Sequence, residues 1–247
     1  MNFNLFLSMN LIIDCGNTNL KYFIFKDQAL VLTNLFKWEG DWSLKIINNF
    51  PDLKNILLSD VTGKYNREDL EKKFPNNQVY DVKALDFPFE TNYNKENLGV
   101  DRIGLIIAAI NKFPKEDCLV IDAGSCLTFD LISSKSVHKG GLISPGLLFR
   151  FKSLYQYTNS LPLIKFENNG KQIGKDTKNS IQSGIWEGFI FEINGQIEKF
   201  KRKTPNLRVI LTGGDAKYLY KRIKNSIFAE QEFLASGLNN LLKCNNL

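Results

Sequence analysis

The chain has 247 residues, of which 43% are hydrophobic and 23% charged, and its formal net charge is +6. That length predicts one or two domains with room for a buried core. The lysines are spread along the chain, and the longest basic cluster, residues 199–203, is short and interrupted by Phe200. The charge therefore argues against nucleic acid as a partner and favours a solvated basic face or anionic small-molecule ligands.

Cysteine and histidine usage limits the chemistry further. The four cysteines are Cys15, Cys118, Cys126 and Cys244. They include no C-x-x-C pair and no zinc spacing, which predicts reduced thiols and a cytoplasmic location. No apolar run reaches membrane-spanning length, so we expect no membrane association. The lone histidine, His138, is expected to be a solvated turn residue. Residues 1–8 are expected to form an N-terminal extension, because Met9 stands directly before the first strand and is an alternative start.

From the N-terminal end, the first pattern is a strand, a tight polar turn and a second strand. Apolar residues 11–13 and 22–25 flank the sequence Asp14-Cys15-Gly16-Asn17-Thr18-Asn19-Leu20-Lys21. The glycine lets backbone N–H groups approach an anion, and the lysine adds a positive charge. The aspartate suits a metal ion held directly or through water. The pattern predicts a β-hairpin that binds phosphate.

The following residues alternate between strands and helices. We expect a third strand at 28–38, a helix to Phe50, a strand at 56–60, a helix at 67–74 and a strand at 78–82. Residues 87–98 are polar and predict no regular structure, and an apolar helix is expected at 103–111. Asp101 and Arg102 therefore fall at or near a helix N-terminus.

A second strand–turn–strand pattern, residues 119–132, repeats the acidic glycine turn as Asp122-Ala123-Gly124-Ser125. Two such hairpins predict a nucleotide held between two related halves. The expected elements beyond it are a turn at 138–141, helices at 147–160 and 177–199, a strand at 208–211, and helical segments at 216–222 and 233–242. Strands that alternate with helices predict an α/β architecture, with a boundary near Pro114.

Five segments in this order resemble the type III pantothenate kinases, a family of the acetate kinase, sugar kinase, Hsp70 and actin superfamily. They are residues 14–21, 99–102, 122–128, 140–146 and 212–215. The specific part is the combination of Asp-x-Gly-Asn-Thr-x-x-Lys with Gly-x-Asp-Arg. The resemblance covers about Asn10 to Leu242. It implies two ribonuclease H-like halves of the actin-like ATPase superfamily, residues 9–115 and 116–247, each a mixed five-stranded sheet with flanking helices.

The sequence departs from the family pattern at a few positions. Ser125 replaces the usual threonine and keeps the hydroxyl. Asn92 occupies the place of a usual tyrosine, with Tyr93 one residue later, and Lys95 replaces a proline. These departures predict a rearranged pantothenate-facing loop within residues 87–98.

The resemblance implies an enzyme that transfers the γ-phosphoryl group of ATP to the primary hydroxyl of pantothenate, giving 4'-phosphopantothenate in the first step of coenzyme A biosynthesis. Asp101 is the implied general base, although it could instead only cap the helix that follows. Arg102 could hold pantothenate or form only a surface salt bridge. The implied pantothenate-binding residues are Tyr93, Gly99, Val100, Asp101, Arg102 and Thr177.

The implied ATP-binding residues are Asp14, Gly16, Asn17, Thr18, Lys21, Ser125, Gly213 and Gly214. Asp14 is implied to position Mg²⁺, directly or through water, because phosphoryl transfer depends on positioning and charge neutralisation. Asp122 is implied to bind a monovalent cation, K⁺ or NH₄⁺; the alternative is a second carboxylate facing Mg²⁺. Thr177 is implied to contact pantothenate across a homodimer interface, and its alternative role is a helix N-cap.

Two other functions stay open at this point. One is another small-molecule kinase of the superfamily, although sugar kinases are normally much longer. The other is a non-catalytic accessory or regulatory protein with a nucleotide-binding actin-like fold. The presence of Asp14, Asp101 and Asp122 argues against that second alternative, because a pseudoenzyme has no chemical reason to keep all three carboxylates.

Overall fold

The computed structural model describes residues 9–17, 19–168, 173–223, 226–228 and 232–247. The strands are β1 (Met9–Cys15), β2 (Leu20–Lys26), β3 (Ala29–Phe36), β4 (Leu53–Asp60), β5 (Gln78–Asp81), β6 (Glu90–Thr91), β7 (Cys118–Ala123), β8 (Cys126–Ile132), β9 (Val137–Pro145), β10 (Arg208–Thr212) and β11 (Ser226–Phe228). The α-helices are α1 (Trp42–Asn49), α2 (Arg67–Lys73), α3 (Val100–Lys112), α4 (Leu147–Tyr157), α5 (Thr177–Lys203), α6 (Ala216–Leu219) and α7 (Phe233–Cys244). The extension expected at residues 1–8 and the predicted ligand Thr18 lie outside the described residues.

The chain divides into two compact units. One takes the chain up to Lys112 together with Glu232–Leu247, and the other is Phe113–Gln231. The sequence-based division at residues 115 and 116 lies close to this boundary but assigns the C-terminal residues differently. In the structure α7 packs on α3 and β1 of the first unit, and Asn10 Nδ2 donates to Asn239 Oδ1 at 2.9 Å. A contact between residues so distant in sequence leaves no local pattern.

The first unit contains a mixed sheet with the strand order β3-β2-β1-β4-β5. The central strand β1 pairs antiparallel with β2 and parallel with β4. One face of the sheet carries Leu11, Ile13 and Cys15 into a core with Trp42 of α1 and Leu70 of α2. Because successive side chains point to opposite faces, Asn10 and Asp14 lie on the other face, where α7 packs.

The second unit repeats this plan. Five of its strands lie side by side in the order β11-β10-β7-β8-β9, and β7 pairs antiparallel with β8 and parallel with β10. The helices α4 and α5 contribute Phe151, Trp186 and Phe189 to a core with Leu119 and Ile121 of β7. The prediction of an α/β chain with a mixed five-stranded sheet in each half is confirmed.

His138 is not the solvated turn residue that the sequence predicted. It lies within β9, is fully buried, and its Nε2 is 2.8 Å from Asp130 Oδ1 on β8. Lys139 is an extra residue in the β8–β9 pairing, where Leu131 opposes Gly140 and Ile132 opposes His138. Glycine is common both at bulges and in turns, so Gly140 and Gly141 suggested a turn in the sequence. In the structure they lie within β9, which begins at Val137.

Residues 87–98 also have more structure than the sequence predicted. They contain β6 and a 3₁₀ turn at Lys95–Asn97, and a second 3₁₀ turn, Val82–Ala84, precedes them. The side chain of Asn94 accepts a hydrogen bond from the backbone N–H of Glu96, which starts the turn at Lys95. In the part of the chain that the structure describes, no helix combines the length and apolar character needed to cross a bilayer.

Candidate active site

Asp14 is placed by the central strand of the first sheet. In the strand register it stands opposite Lys21 on the antiparallel strand β2 and opposite Ser59 on the parallel strand β4. Directly paired residues project from the same face of a sheet. The Asp14 carboxylate is therefore flanked by a cation on one side and a hydroxyl on the other.

The β1–β2 turn closes tightly beside this carboxylate. The backbone N–H of Gly16 donates to the carbonyl oxygen of Asn19 at 3.1 Å. Asn17 is exposed at the tip of the turn, as expected of a side chain that meets a ligand. The described part of the turn therefore places the Asn17 side chain next to an acidic strand end.

Burial raises the pKa of Asp14 from 3.8 to about 7. The Lys21 ammonium opposes this rise, whereas the carboxylates of Asp101 and Asp60 add to it. These interactions mean that Asp101, from the start of α3, lies near enough to Asp14 for their charges to interact. The structure thus brings together Asp14, Lys21 and Asp101, three of the predicted site residues.

Asp101 lies inside the first turn of α3. The backbone N–H of Ile103 donates to the carbonyl oxygen of Gly99 at 3.0 Å, so the helix begins earlier than the predicted residue 103. Asp101 Oδ1 accepts a hydrogen bond from the N–H of Arg102 at 2.8 Å. A Cβ atom at position 99 would lie 2.6 Å from that oxygen. Any side chain at position 99 would therefore clash with the Asp101 carboxylate in its present position.

Arg102 is buried, so it does not form the surface salt bridge that was its alternative role. Its side chain is only 4% exposed, and the guanidinium lies over the ring of Tyr93, with 4.9 Å from Cζ to the ring centroid. The backbone N–H of Tyr93 donates to Thr91 Oγ1 at 3.0 Å, which holds this residue beside β6. The displaced tyrosine of this chain thus contacts the arginine of the Gly-x-Asp-Arg sequence, in which Val100 is also buried.

Asp60 and Ser59 belong to the surroundings of Asp14, and sequence reasoning missed them. The carboxylate of Asp60 accepts hydrogen bonds from Thr62 N at 2.7 Å and Tyr65 N at 2.8 Å, so it orders the loop after β4. The available signal was topological: parallel neighbours end at the same edge of a sheet, so the residues after β4 had to lie near the end of β1.

In the second unit Asp122 occupies the equivalent place at the end of β7. Its register partners are Thr128 on the antiparallel strand β8 and Thr212 on the parallel strand β10. The turn closes through a hydrogen bond from Gly124 N to Cys126 O at 2.9 Å, with Ser125 partly exposed.

Gly213 packs directly on this acidic turn. Its φ of +95° is rarely adopted by residues with a side chain, and a Cβ there would lie 2.3 Å from Asp122 Oδ1. Gly214 is exposed, and a Cβ there would meet no atom within 4 Å. The following carboxyl, Asp215, has a pKa raised by burial to about 6, although Lys217 opposes the rise. Gly213 is therefore required by the turn itself, whereas Gly214 has open space around it.

Thr177 is the first residue of α5 and does not cap it. Asp176 is the N-cap, and its carboxylate accepts from the N–H of Asn179 at 2.8 Å. Thr177 is exposed at the end of the helix. The alternative interpretation of Thr177 as only an N-cap is therefore wrong.

Among the described residues, no group of three or more histidine, cysteine, aspartate and glutamate side chains could hold a metal ion. Mg²⁺ fits this composition when nucleotide phosphates supply the other ligands, because it is commonly bound through one or two carboxylates, phosphates and water. Asp14 offers such a carboxylate. The Asp122 carboxylate and the Ala123 carbonyl oxygen both lie against Gly213, so a carboxylate and a carbonyl oxygen occur together there, as a hard cation prefers.

The two similar sheets, each with an acidic glycine turn at the end of its central strand, form a fold that solved structures share. MreB5 of Spiroplasma citri is similar with a TM-score of 0.50 at 12% identity, and the match covers 97% of this chain and 98% of that one. A solved chain from Campylobacter jejuni, named for the Baf family of transcriptional activators, has this fold with a TM-score of 0.60. It is 24% identical, and the match covers 96% of this chain and 100% of that one.

The sequence comparisons identify the family. The family model described as type III pantothenate kinase matches residues 10–199. A type III pantothenate kinase of Flavobacterium psychrophilum is 40% identical over 238 residues, covering 94% of this chain and 98% of the relative. One from Christiangramia forsetii is 41% identical over 243 residues, covering 96% and 99%. The chain belongs to the type III pantothenate kinase family.

Proposed function

We propose that this protein transfers the γ-phosphoryl group of ATP to the primary hydroxyl of pantothenate, giving 4'-phosphopantothenate and ADP. The observation that carries the proposal is the convergence of Asp14, Lys21 and Asp101, in a chain of this family. An acidic turn suits the phosphate end of a nucleotide, and a second carboxylate beside it suits the hydroxyl that attacks.

Asp101 is the proposed general base. It takes the proton from the pantothenate hydroxyl as that oxygen attacks the γ-phosphorus, and the bond from phosphorus to the β,γ-bridging oxygen breaks. Gly99 leaves room for the carboxylate, and the Arg102 N–H donates to it, so its position is fixed before substrate arrives. The first turn of a helix also favours the charged form of a carboxylate.

The pantothenate side of the proposal rests on Tyr93 and the Gly99–Arg102 segment. The Arg102 guanidinium is a good partner for the carboxylate of pantothenate, since this pair forms strong charge-assisted hydrogen bonds. The guanidinium packs over the Tyr93 ring, which supports it from one side. Val100 would contribute apolar contact next to them.

On the ATP side, we propose that Gly16, Asn17 and Thr18 contact phosphate and that Lys21 neutralises charge on it. In the second unit, Ser125, Gly213 and Gly214 are the proposed ATP contacts. Mg²⁺ held at Asp14 would supply further charge neutralisation. We propose a monovalent cation, K⁺ or NH₄⁺, at Asp122, where the carboxylate meets backbone oxygens.

We further propose a homodimer in which Thr177 reaches the pantothenate of the partner subunit. The exposed face of α5 supports a contact with a second copy. Ser180, Gly184 and Gly188 line a groove of about 520 Å³ between α4 and α5, and Phe191, on the same helical face, is 70% exposed. Exposed apolar surface of this kind marks interaction sites. The proposed compartment is the cytoplasm, where ATP is abundant and thiols stay reduced.

The direct test mixes the purified protein with ATP, Mg²⁺, K⁺ and pantothenate and measures phosphopantothenate by mass spectrometry. Product should form only when both substrates are present. A folded, dimeric protein that forms no product would rule out the proposed reaction. Replacing K⁺ by Na⁺ should lower the rate in the wild type but not in Asp122→Asn, and an unchanged wild-type rate would argue against the monovalent site.

The shared active site has its own test. Asp101→Asn and Thr177→Ala proteins are each assayed alone and after being mixed under conditions that exchange subunits. One site of each mixed dimer would combine an intact Asp101 with an intact Thr177, so activity should recover. A mixture no more active than its two components would contradict the shared site.

A further inference from the structure

Ser59 is a buried hydroxyl that the proposed mechanism does not use. Its side chain is fully buried on β4, and its Oγ has no hydrogen-bond partner in the described part of the chain. A buried hydroxyl normally finds a partner, because leaving one unpaired costs more free energy than an alanine at the same place. The position therefore calls for a partner that is not a side chain or backbone group of these residues.

The strand register shows which group lies beside that hydroxyl. Ser59 is the direct neighbour of Asp14 across the parallel β1–β4 pair, and adjacent strands are about 4.8 Å apart. Both side chains project from the same face, because paired residues share a face. Across the described ranges, the Asp14 carboxylate makes no side-chain hydrogen bond either, and its charged neighbour on the other side is Lys21. An unpaired donor and an unpaired acceptor thus stand side by side.

We propose that Ser59 is a positioning residue for the Mg²⁺ of the bound nucleotide. Its hydroxyl would donate to a water molecule of the ion's hydration shell, which Mg²⁺ gives up reluctantly. Such outer contacts orient the groups that bind a metal directly. The inference rests on the proposed function, since it concerns the ATP-bound metal of the same site.

The structure supports this role over simple packing. Glycine or alanine would satisfy a demand for a small residue, and neither would bury an unpaired hydroxyl. Ser43 offers a comparison, because it is also buried, at 6% exposure, but lies on α1, which packs on the opposite face of the same sheet. Its hydroxyl is therefore remote from Asp14.

The test compares Ser59→Ala with Ser43→Ala in binding experiments without pantothenate. ATP binding is measured by calorimetry across a Mg²⁺ titration and again in EDTA, and folding is checked by circular dichroism. Ser59→Ala should raise the Mg²⁺ concentration needed for half-maximal ATP binding about tenfold, the lower end of the effect of outer-shell substitutions on metal affinity. Metal-free ATP binding should stay unchanged. Ser43→Ala should behave as wild type in both measurements.

A wild-type Mg²⁺ dependence in Ser59→Ala would overturn the inference, and so would an equal loss of ATP binding with and without metal. If Ser59→Ala does not fold, Ser59→Cys decides, because the thiol keeps the size of the side chain but donates weakly. That variant should need more Mg²⁺ than wild type, and an unchanged requirement would again overturn the role. A wild-type protein that binds no ATP with Mg²⁺ would instead contradict the proposed function itself.

Discussion

The two acidic turns share one scaffold and differ in what surrounds the carboxylate. Asp14 and Asp122 each end a central strand that has an antiparallel partner on one side and a parallel partner on the other. The antiparallel partner is Lys21 in the first unit and Thr128 in the second. A positive charge therefore stands beside one carboxylate and a neutral hydroxyl beside the other.

In the proposed reaction, this difference would separate two tasks that phosphoryl transfer requires. The first turn would supply charge and the neighbouring Asp101 near the phosphates that react. In the second turn the carboxylate lies under Gly213, against backbone atoms. That arrangement suits holding a nucleotide and a cation in place. The comparison predicts that substitutions at the first turn change chemistry and charge, whereas those at the second change structure first.

Asp101→Asn is the strongest challenge to this division and should have the largest effect. The turnover number kcat should fall about 10²-fold or more, because a general base contributes that much, while ATP binding persists. Steady-state kinetics and ATP calorimetry measure the two effects. Glu68→Gln is the matched control, since Glu68 is exposed at the same position in the first turn of α2. A near-normal kcat in Asp101→Asn would leave this carboxylate only a role in starting the helix.

Gly213→Ala should destabilise the second unit by about 2 kcal/mol, the range for a strained backbone position. The added Cβ would meet Asp122 Oδ1 at 2.3 Å, and φ is +95°. Urea denaturation of both variants measures the effect against Gly214→Ala, whose Cβ meets no atom within 4 Å. Equal stability of the two variants would show that the second turn is not held by this close contact.

Lys21→Met tests the difference in charge directly. Removing the ammonium should raise the KM for ATP about tenfold, which corresponds to about 1.4 kcal/mol of charge-assisted hydrogen bonding. Thr128→Val changes the register-equivalent residue of the second turn and should leave that KM within about twofold, because no charge is lost. Similar increases in both variants would mean that the two turns do not divide the work as proposed.

The sequence carried most of the local structure of these turns. Strand–turn–strand patterning identified both hairpins, and the motif spacing placed Asp14, Lys21 and Asp101 in one unit. It also placed Asp101 at the start of a helix, although that helix begins at Val100, three residues before the predicted start at 103. These features depend on neighbours in sequence, so local patterns can express them.

What the sequence did not predict depends on distant contacts. The position of Ser59 beside Asp14 follows from parallel pairing, and α7 docks on the first unit through Asn239 and Asn10. The burial of His138 results from a bulge opposite Leu131 and Ile132. The contact of Tyr93 with Arg102 crosses a loop that departs from the family pattern. Register and packing set each of these, and no short motif records them.

The smallest expected effect concerns the charge buried at the first turn. The pKa of Asp14 is raised from 3.8 to about 7, so between these values the folded protein holds a proton that the unfolded chain has released. Stability should therefore fall as pH rises through this window. Asp14→Asn has no proton to lose at this position. The free energy of unfolding of Asp14→Asn minus that of wild type should therefore increase by about 1 kcal/mol from pH 4 to pH 8, a value reduced for solvent screening.

Urea denaturation at several pH values, without ATP or Mg²⁺, measures this gain. Asp52→Asn is the control, because Asp52 is exposed in the same unit. A packing effect of the substitution would shift stability equally at every pH, so only the change with pH reports the buried charge. If the difference between Asp14→Asn and wild type were constant from pH 4 to pH 8, Asp14 would titrate like a surface carboxylate. The first turn would then lose the electrostatic character that distinguishes it from the second.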